Sequence, residues 1–197
     1  MHDFLMKVFQ QKKLLLLIIV ASFIFSCSEE EIIPKPKSYL ALTYDEAAYT
    51  EVSLDCPFSF EMNIHARLEK PRSKNFCWTN VFYPKQKAQV FITYAPIEGN
   101  LTELLRDAQQ LPLQHTIKAD HIEASEYTNE EKRTFGTFYE VEGDAASQAQ
   151  FYLTDSINHF LTGSIYFSAR PNYDSLVPAA AYLKNDIRHL METVSWK

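Results

Sequence analysis

From Phe58 to Leu68 the chain alternates without a break. Phe58, Phe60, Met62, Ile64, Ala66 and Leu68 fall on one parity, and Ser59, Glu61, Asn63, His65 and Arg67 on the other. A period of two sends each set to its own side of a pleated strand. One side is then buried and the other wet, which commits the chain to a sheet with a solvated face. Residues 76–83 and 88–94 read as the next two strands, joined by the charged loop 69–75 and the turn Pro84-Lys85-Gln86-Lys87. Connections this short between strands make an antiparallel meander. Residues 134–142, 147–154 and 159–169 read as three more strands, with turns at Gly143-Asp144 and at 155–158. Residues 39–44 are a shorter strand candidate, followed by an irregular connection to Asp55.

Two segments switch to helical spacing. Asn100 opens the first, with Glu103 placed three residues on as a capping-box partner and Leu101, Leu104, Leu105, Ala108 and Leu111 as its apolar stripe. Pro112 interrupts it, and residues 113–122 are expected to continue as a kinked second piece. A charged loop is expected around 129–133. Pro171 stops the last strand, and Asp174 caps a final helix whose buried side carries Leu176, Ala180, Leu183, Ile187, Leu190, Met191 and Val194. The order is strands, helix, strands, helix. The fold class expected is α+β: an antiparallel β-sheet of about six to seven strands with helices packed against it.

The N-terminal segment has a different character. Lys7, Lys12 and Lys13 precede an uncharged apolar run, 14–25, that ends in Ser26 and Cys27 and is followed by Glu29-Glu30-Glu31. The run is too short for the ~20 residues a bilayer-spanning helix needs, and it fits the hydrophobic part of a signal. Ile24-Phe25-Ser26-Cys27 reads as a loose lipobox, with Phe25 bulkier than usual at its position. The expected organisation is a lipoprotein signal peptide, 1–26, that is removed. An acylated Cys27 and an extended Pro-containing tether over 27–38 follow it, and then a single α+β domain over 39–197. An uncleaved anchor helix and an ordinary secretory signal are the competing readings.

Composition narrows the function. The formal net charge is −6, and removing a leader with three lysines leaves the rest more acidic. Long-range attraction to nucleic acid is therefore not expected. Only 4 glycines occur, each isolated, so phosphate-cradling glycine loops and the nucleotide cofactors they hold are not expected. With Cys27 acylated, Cys56 and Cys77 remain in an oxidising compartment, where a disulfide is the simplest pairing and two buried thiols the alternative. Two cysteines without a CxxC spacing do not suggest zinc, and no cofactor is expected.

No constellation spells a reaction. His115 and His121, read on one helix, fall on opposed sides; His65 sits on a wet strand face. Glu140 and Glu142 share a strand face as solvated pairs commonly do, and no GxSxG surrounds Ser147, Ser156 or Ser164. More unusual is a polar but uncharged strand face, Gln148, Gln150 and Tyr152, near His159 and the segment Asn172-Tyr173-Asp174. Amides and tyrosines without charge suit a protein-contact surface, so these seven residues form the candidate partner surface, with an ordinary solvated face as the alternative.

Several strings then carry a resemblance: Pro34-Lys-Pro-Lys, Cys56-Pro-Phe-Ser-Phe, Cys77-Trp, Ala145-Ala-Ser-Gln-Ala-Gln-Phe-Tyr, Pro171-Asn-Tyr-Asp-Ser and the last residues to Lys197. The chain resembles the gliding motility lipoprotein GldD family from its leader to its end. The resemblance implies a component of surface gliding tied to the type IX secretion machinery, with Cys27 as lipid site and no catalytic residues to carry over. Ser28-Glu29-Glu30-Glu31 resembles the signal that exports such lipoproteins to the cell surface, which favours the outer membrane over the inner. The expected function is a non-enzymatic accessory that docks on other gliding and secretion envelope proteins, held to the membrane by lipid. The alternative is a cell-envelope enzyme or glycan binder acting on peptidoglycan or polysaccharide.

Overall fold

The structure is a computed structural model that describes residues 43–70, 77–114, 118–168 and 173–197, with Met6 and Lys12. The leader, Cys27, the tether, His115, Pro171 and Asn172 lie outside the described residues. The chain divides into two compact units, Met1–Ser38 and Tyr39–Lys197; the fold below is that of the second.

Its elements in order are β1 (Tyr49–Ser53), β2 (Phe58–Asn63), β3 (Arg67–Glu69), β4 (Thr79–Tyr83), β5 (Ala88–Pro96) and α1 (Leu101–Leu113). There follow β6 (Ala119–Asn129), β7 (Thr134–Gly143), β8 (Ala149–Thr154), β9 (His159–Phe167), α2 (Tyr173–Thr193) and β10 (Ser195–Trp196). They build a seven-stranded sheet, β3-β4-β5-β9-β8-β7-β6, and a three-stranded sheet, β1-β2-β10. Every ladder is antiparallel. The fold is α+β, an antiparallel sheet with helices packed on it.

Four local expectations need correction. The alternating run is not one strand: it breaks after Asn63, and Ile64 is exposed. Asn63 causes the break, because its Oδ1 accepts from the His65 N–H at 3.0 Å while its carbonyl accepts from Ala66 at 3.0 Å. Such side-chain-to-backbone bonds compete with a ladder. The remainder, β3, crosses to the larger sheet. Strand β1 lies in the stretch expected to be irregular, while Thr43 and Tyr44 are not in a strand.

The third correction follows Pro112. Among the described residues no second helical piece forms; α1 ends at Leu113, and β6 is an exposed edge strand paired to β7 from Ala119 to Asn129. An edge strand with both faces largely wet needs no apolar alternation, which is why its sequence hides it. The capping box is also absent: the Asn100 Oδ1 accepts from the Glu98 N–H at 2.9 Å and makes no cap bond to the helix.

The large sheet buries both of its faces in part. One carries Val81, Val90, Ile92, Phe138, Phe151, Leu153, Leu161 and Ile165 against Leu183, Ile187 and Leu190 of α2 and Phe58 and Phe60 of β2. On this face Gly163 stands opposite Phe151 in the ladder. A Cβ there would lie 2.1 Å from the phenyl ring, so glycine makes room for it. The other face packs Tyr152 and Phe160 against Ala108, Leu101, Leu104 and Leu105 of α1. Cys56 and Cys77 form a disulfide with Cα atoms 5.6 Å apart, which ties the start of β2 to the start of β4.

Candidate functional site

Strand β8 sits between β7 and β9 near the middle of the sheet, and all six of its residues are buried. This overturns the partner surface expected at Gln148, Gln150 and Tyr152. Gln148 is held inside by hydrogen bonds from its Nε2 to the carbonyls of Ala145 at 3.0 Å and Gly143 at 3.3 Å. Tyr152 stacks on Phe160 with ring centroids 5.7 Å apart, and its hydroxyl accepts from Thr137 at 3.1 Å. Gln150 is equally buried. Alternation located the strand correctly, but α1 covers the face that polarity marked as wet. His159 is half-buried, bonded through Nδ1 to the Tyr94 hydroxyl at 2.9 Å and stacked on Trp196 at 5.2 Å. Asp174 is exposed in the first turn of α2, not capping it, and the Tyr173 side chain lies outside the described residues. Those of the seven that are described do not form one surface.

The most connected polar cluster lies between the small sheet and α2. Asp186, buried, accepts from the Tyr49 hydroxyl at 2.9 Å and from the Asn63 Nδ2 at 2.8 Å, and Tyr83 also bonds it. Asn63 Nδ2 reaches the Tyr182 hydroxyl at 2.8 Å as well. Burial pushes the Asp186 carboxyl above its ordinary value, partly offset by its three donors. Burial, reinforced by Asp186, likewise raises the Tyr49 and Tyr83 hydroxyls. Beside it, His189 stacks on Tyr49 with ring centroids 3.6 Å apart and bonds Glu61 at 2.7 Å. Every Asp186 oxygen is engaged by a neighbour, so the cluster works as a clasp joining β1, β2, β4 and α2. Among the described residues no group of three or more His, Cys, Asp or Glu could hold a metal ion.

The surface open to a partner lies elsewhere on the same sheet face as Tyr152, past the reach of α1. Phe91 of β5 and Tyr166 of β9 meet edge to face, 5.4 Å apart at 82°, with 39% and 40% of their surface exposed. Toward β3 the Arg67 guanidinium lies 4.7 Å above the Phe82 ring, and Glu69 accepts from Arg67 and from Gln89. Toward α1, Thr93 and Thr162 share a 2.6 Å hydroxyl hydrogen bond at the mouth of a cleft of about 390 Å³. An exposed aromatic pair within a polar rim is the composition of a contact surface. The sequence signal was slight: Phe91 is one large apolar residue on the parity of Gln89 and Thr93, the side of β5 that a one-sided strand leaves wet.

These residues find their context in two comparisons. A family model described as gliding motility lipoprotein GldD matches residues 29–196. No curated protein matches the chain.

Proposed function

The chain belongs to the gliding motility lipoprotein GldD family, and from that premise we propose that it is a non-enzymatic accessory that docks on other envelope proteins linked to the type IX secretion apparatus. The observation that carries the docking role is the exposed Phe91–Tyr166 pair on a sheet half that α1 leaves open. A lipoprotein is held to its membrane by lipid, and among the described residues no helix is long and apolar enough to cross one. In this reading Cys27 carries the acyl chains. Each buried methylene contributes ~0.8 kcal/mol, so two or three chains make release negligible. The acidic stretch after Cys27 favours the outer membrane. Tethering raises the local concentration of the docking face over its partner without adding any contact.

The test has two arms in living cells. Phe91→Ser with Tyr166→Ser should stop colony spreading and lower secretion at a protein level matched to wild type by immunoblot, the lost ring–ring contact itself being worth about 0.5–1.5 kcal/mol. Cys27→Ala should abolish incorporation of labelled palmitate. Normal spreading and secretion by the aromatic double variant would remove the docking role. The envelope-enzyme or glycan-binding alternative would seat its ligand in the cleft beside α1, where Asp107 supplies the carboxylate. Saturable binding of peptidoglycan fragments or polysaccharide, lost on Asp107→Ala, would put that alternative in place of docking.

A further inference from the structure

We propose that the outer edge of β6 is a second docking site, which receives an extended segment of a partner protein with alternating apolar and basic residues as an eighth strand of the large sheet. The proposal deepens the docking reading and rests on it.

The edge itself is the first observation. β6 ends the strand order, and among the described residues it pairs with β7 alone. It runs for 11 residues, about twice the usual strand. A row of backbone N–H and C=O groups along that length faces away from the sheet, ready to pair with another chain. The opposite edge, β3, has 3 residues and offers almost no such row. Natural edges are commonly blunted by proline, lysine or brevity; β6 has none of these, and its ladder irregularity is confined to one end, between Ala119 and His121.

Charge selects the occupant. Asp120, Glu123 and Glu126 lie on the strand, Glu130 and Glu131 follow it, and no lysine or arginine intervenes. Two copies meeting through this edge would bring acid against acid, which disfavours self-pairing and favours a basic partner. The ladder register divides the strand's faces. Ile122, Ala124 and Glu126 stand opposite Val141, Tyr139 and Thr137, on the side of α1, whereas Glu123 stands opposite Glu140. Glu140 is already paired with Lys184 and Arg188 of α2, so the added cation is left to Glu123.

A cleft supplies the complementary shape. It measures about 460 Å³; Ile122, Ala124 and Tyr139 of the sheet line it with Pro112 and Leu113 at the end of α1, and Ala119, Asp120 and His121 complete the lining at the start of β6. An eighth strand would set every second side chain over this apolar hollow and the intervening ones beside Glu123. Backbone bonds then give affinity, and the alternation gives specificity.

The test uses the lipidated full chain in detergent and a fluorescent peptide alternating valine and lysine. Anisotropy should show saturable binding. Glu123→Lys should weaken it about tenfold and strengthen binding of a valine–glutamate peptide. Of two isomeric valine–lysine peptides, N-methylated on the odd or on the even residues, only one should bind, because only one edge of the peptide can join the ladder. The Phe91→Ser, Tyr166→Ser variant should bind as the wild type does. No binding, equal binding by a peptide of the same composition with its lysines grouped, or equal loss with both N-methyl isomers would overturn the proposal. So would a dimer of this chain that the peptide displaces. Failure here with spreading still lost in the aromatic variant removes the edge site and leaves docking standing.

Discussion

The Tyr49 hydroxyl on the first strand donates to Asp186 Oδ1 on the last helix at 2.9 Å, across 137 residues of chain. Because Asn63 reaches the other oxygen at 2.8 Å, one carboxyl holds the small sheet against α2. Asp186→Ala should lower stability by about 3 kcal/mol, since it strands the buried donors that share this acceptor. A urea-unfolding midpoint within error of wild type would refute the clasp.

The same carboxyl has a pH signature. Its folded value is raised, chiefly by burial, so the folded state holds the proton more tightly than the unfolded chain. Its contribution is therefore fully present below the ordinary carboxylate value of ~4 and declines as pH climbs through the raised one. Asp186→Asn should flatten that part of the stability curve. Urea midpoints measured at half-unit steps from pH 3 upward would show it.

Asp155 runs the other way. Burial works against its charge, yet the N–H groups of His159, Ile157 and Asn158, at 2.8, 3.0 and 2.8 Å, bring the carboxyl below its ordinary value. Its stabilisation is present above ~4 and lost as pH falls through the depressed value. Asp155→Ala should cost about 1–2 kcal/mol at pH 7, and the difference from wild type should shrink in acid. A difference that grows in acid would contradict the sign.

Gly163 and Phe151 make a packing pair. Gly163→Ala should destabilise by about 1–3 kcal/mol, because the new methyl meets a phenyl ring that is itself buried. Combining it with Phe151→Leu should recover part of the loss, giving a non-additive double-mutant cycle. Strict additivity would show that the ring does not set the space.

The Cys56–Cys77 bridge spans 21 positions. In the chain-entropy account a loop of this size stabilises by about 3 kcal/mol. Reduction, or Cys56→Ser with Cys77→Ser, should lower the unfolding free energy by that amount. A thiol assay on the denatured, unreduced lipidated chain should find none. Two free thiols would refute the bridge.

Period-two alternation and punctuating turns were enough, by themselves, to place β5, β7, β8 and β9, and helical spacing placed α1 and α2. Both are local consequences of backbone geometry, and a strand or helix with one buried side writes its period into the chain. What the sequence could not carry is which surfaces meet. Gln150 and Tyr152 of β8 look wet until α1 folds across their face, and the start of β6, 119–122, looks helical because an edge strand with little to bury has no period to show. Asn63 reads as one more polar position on an unbroken strand until Asp186, 123 residues away, fixes its side chain. Burial on a second face and pairing at an edge are settled by contacts between distant segments, and only the tertiary structure supplies those.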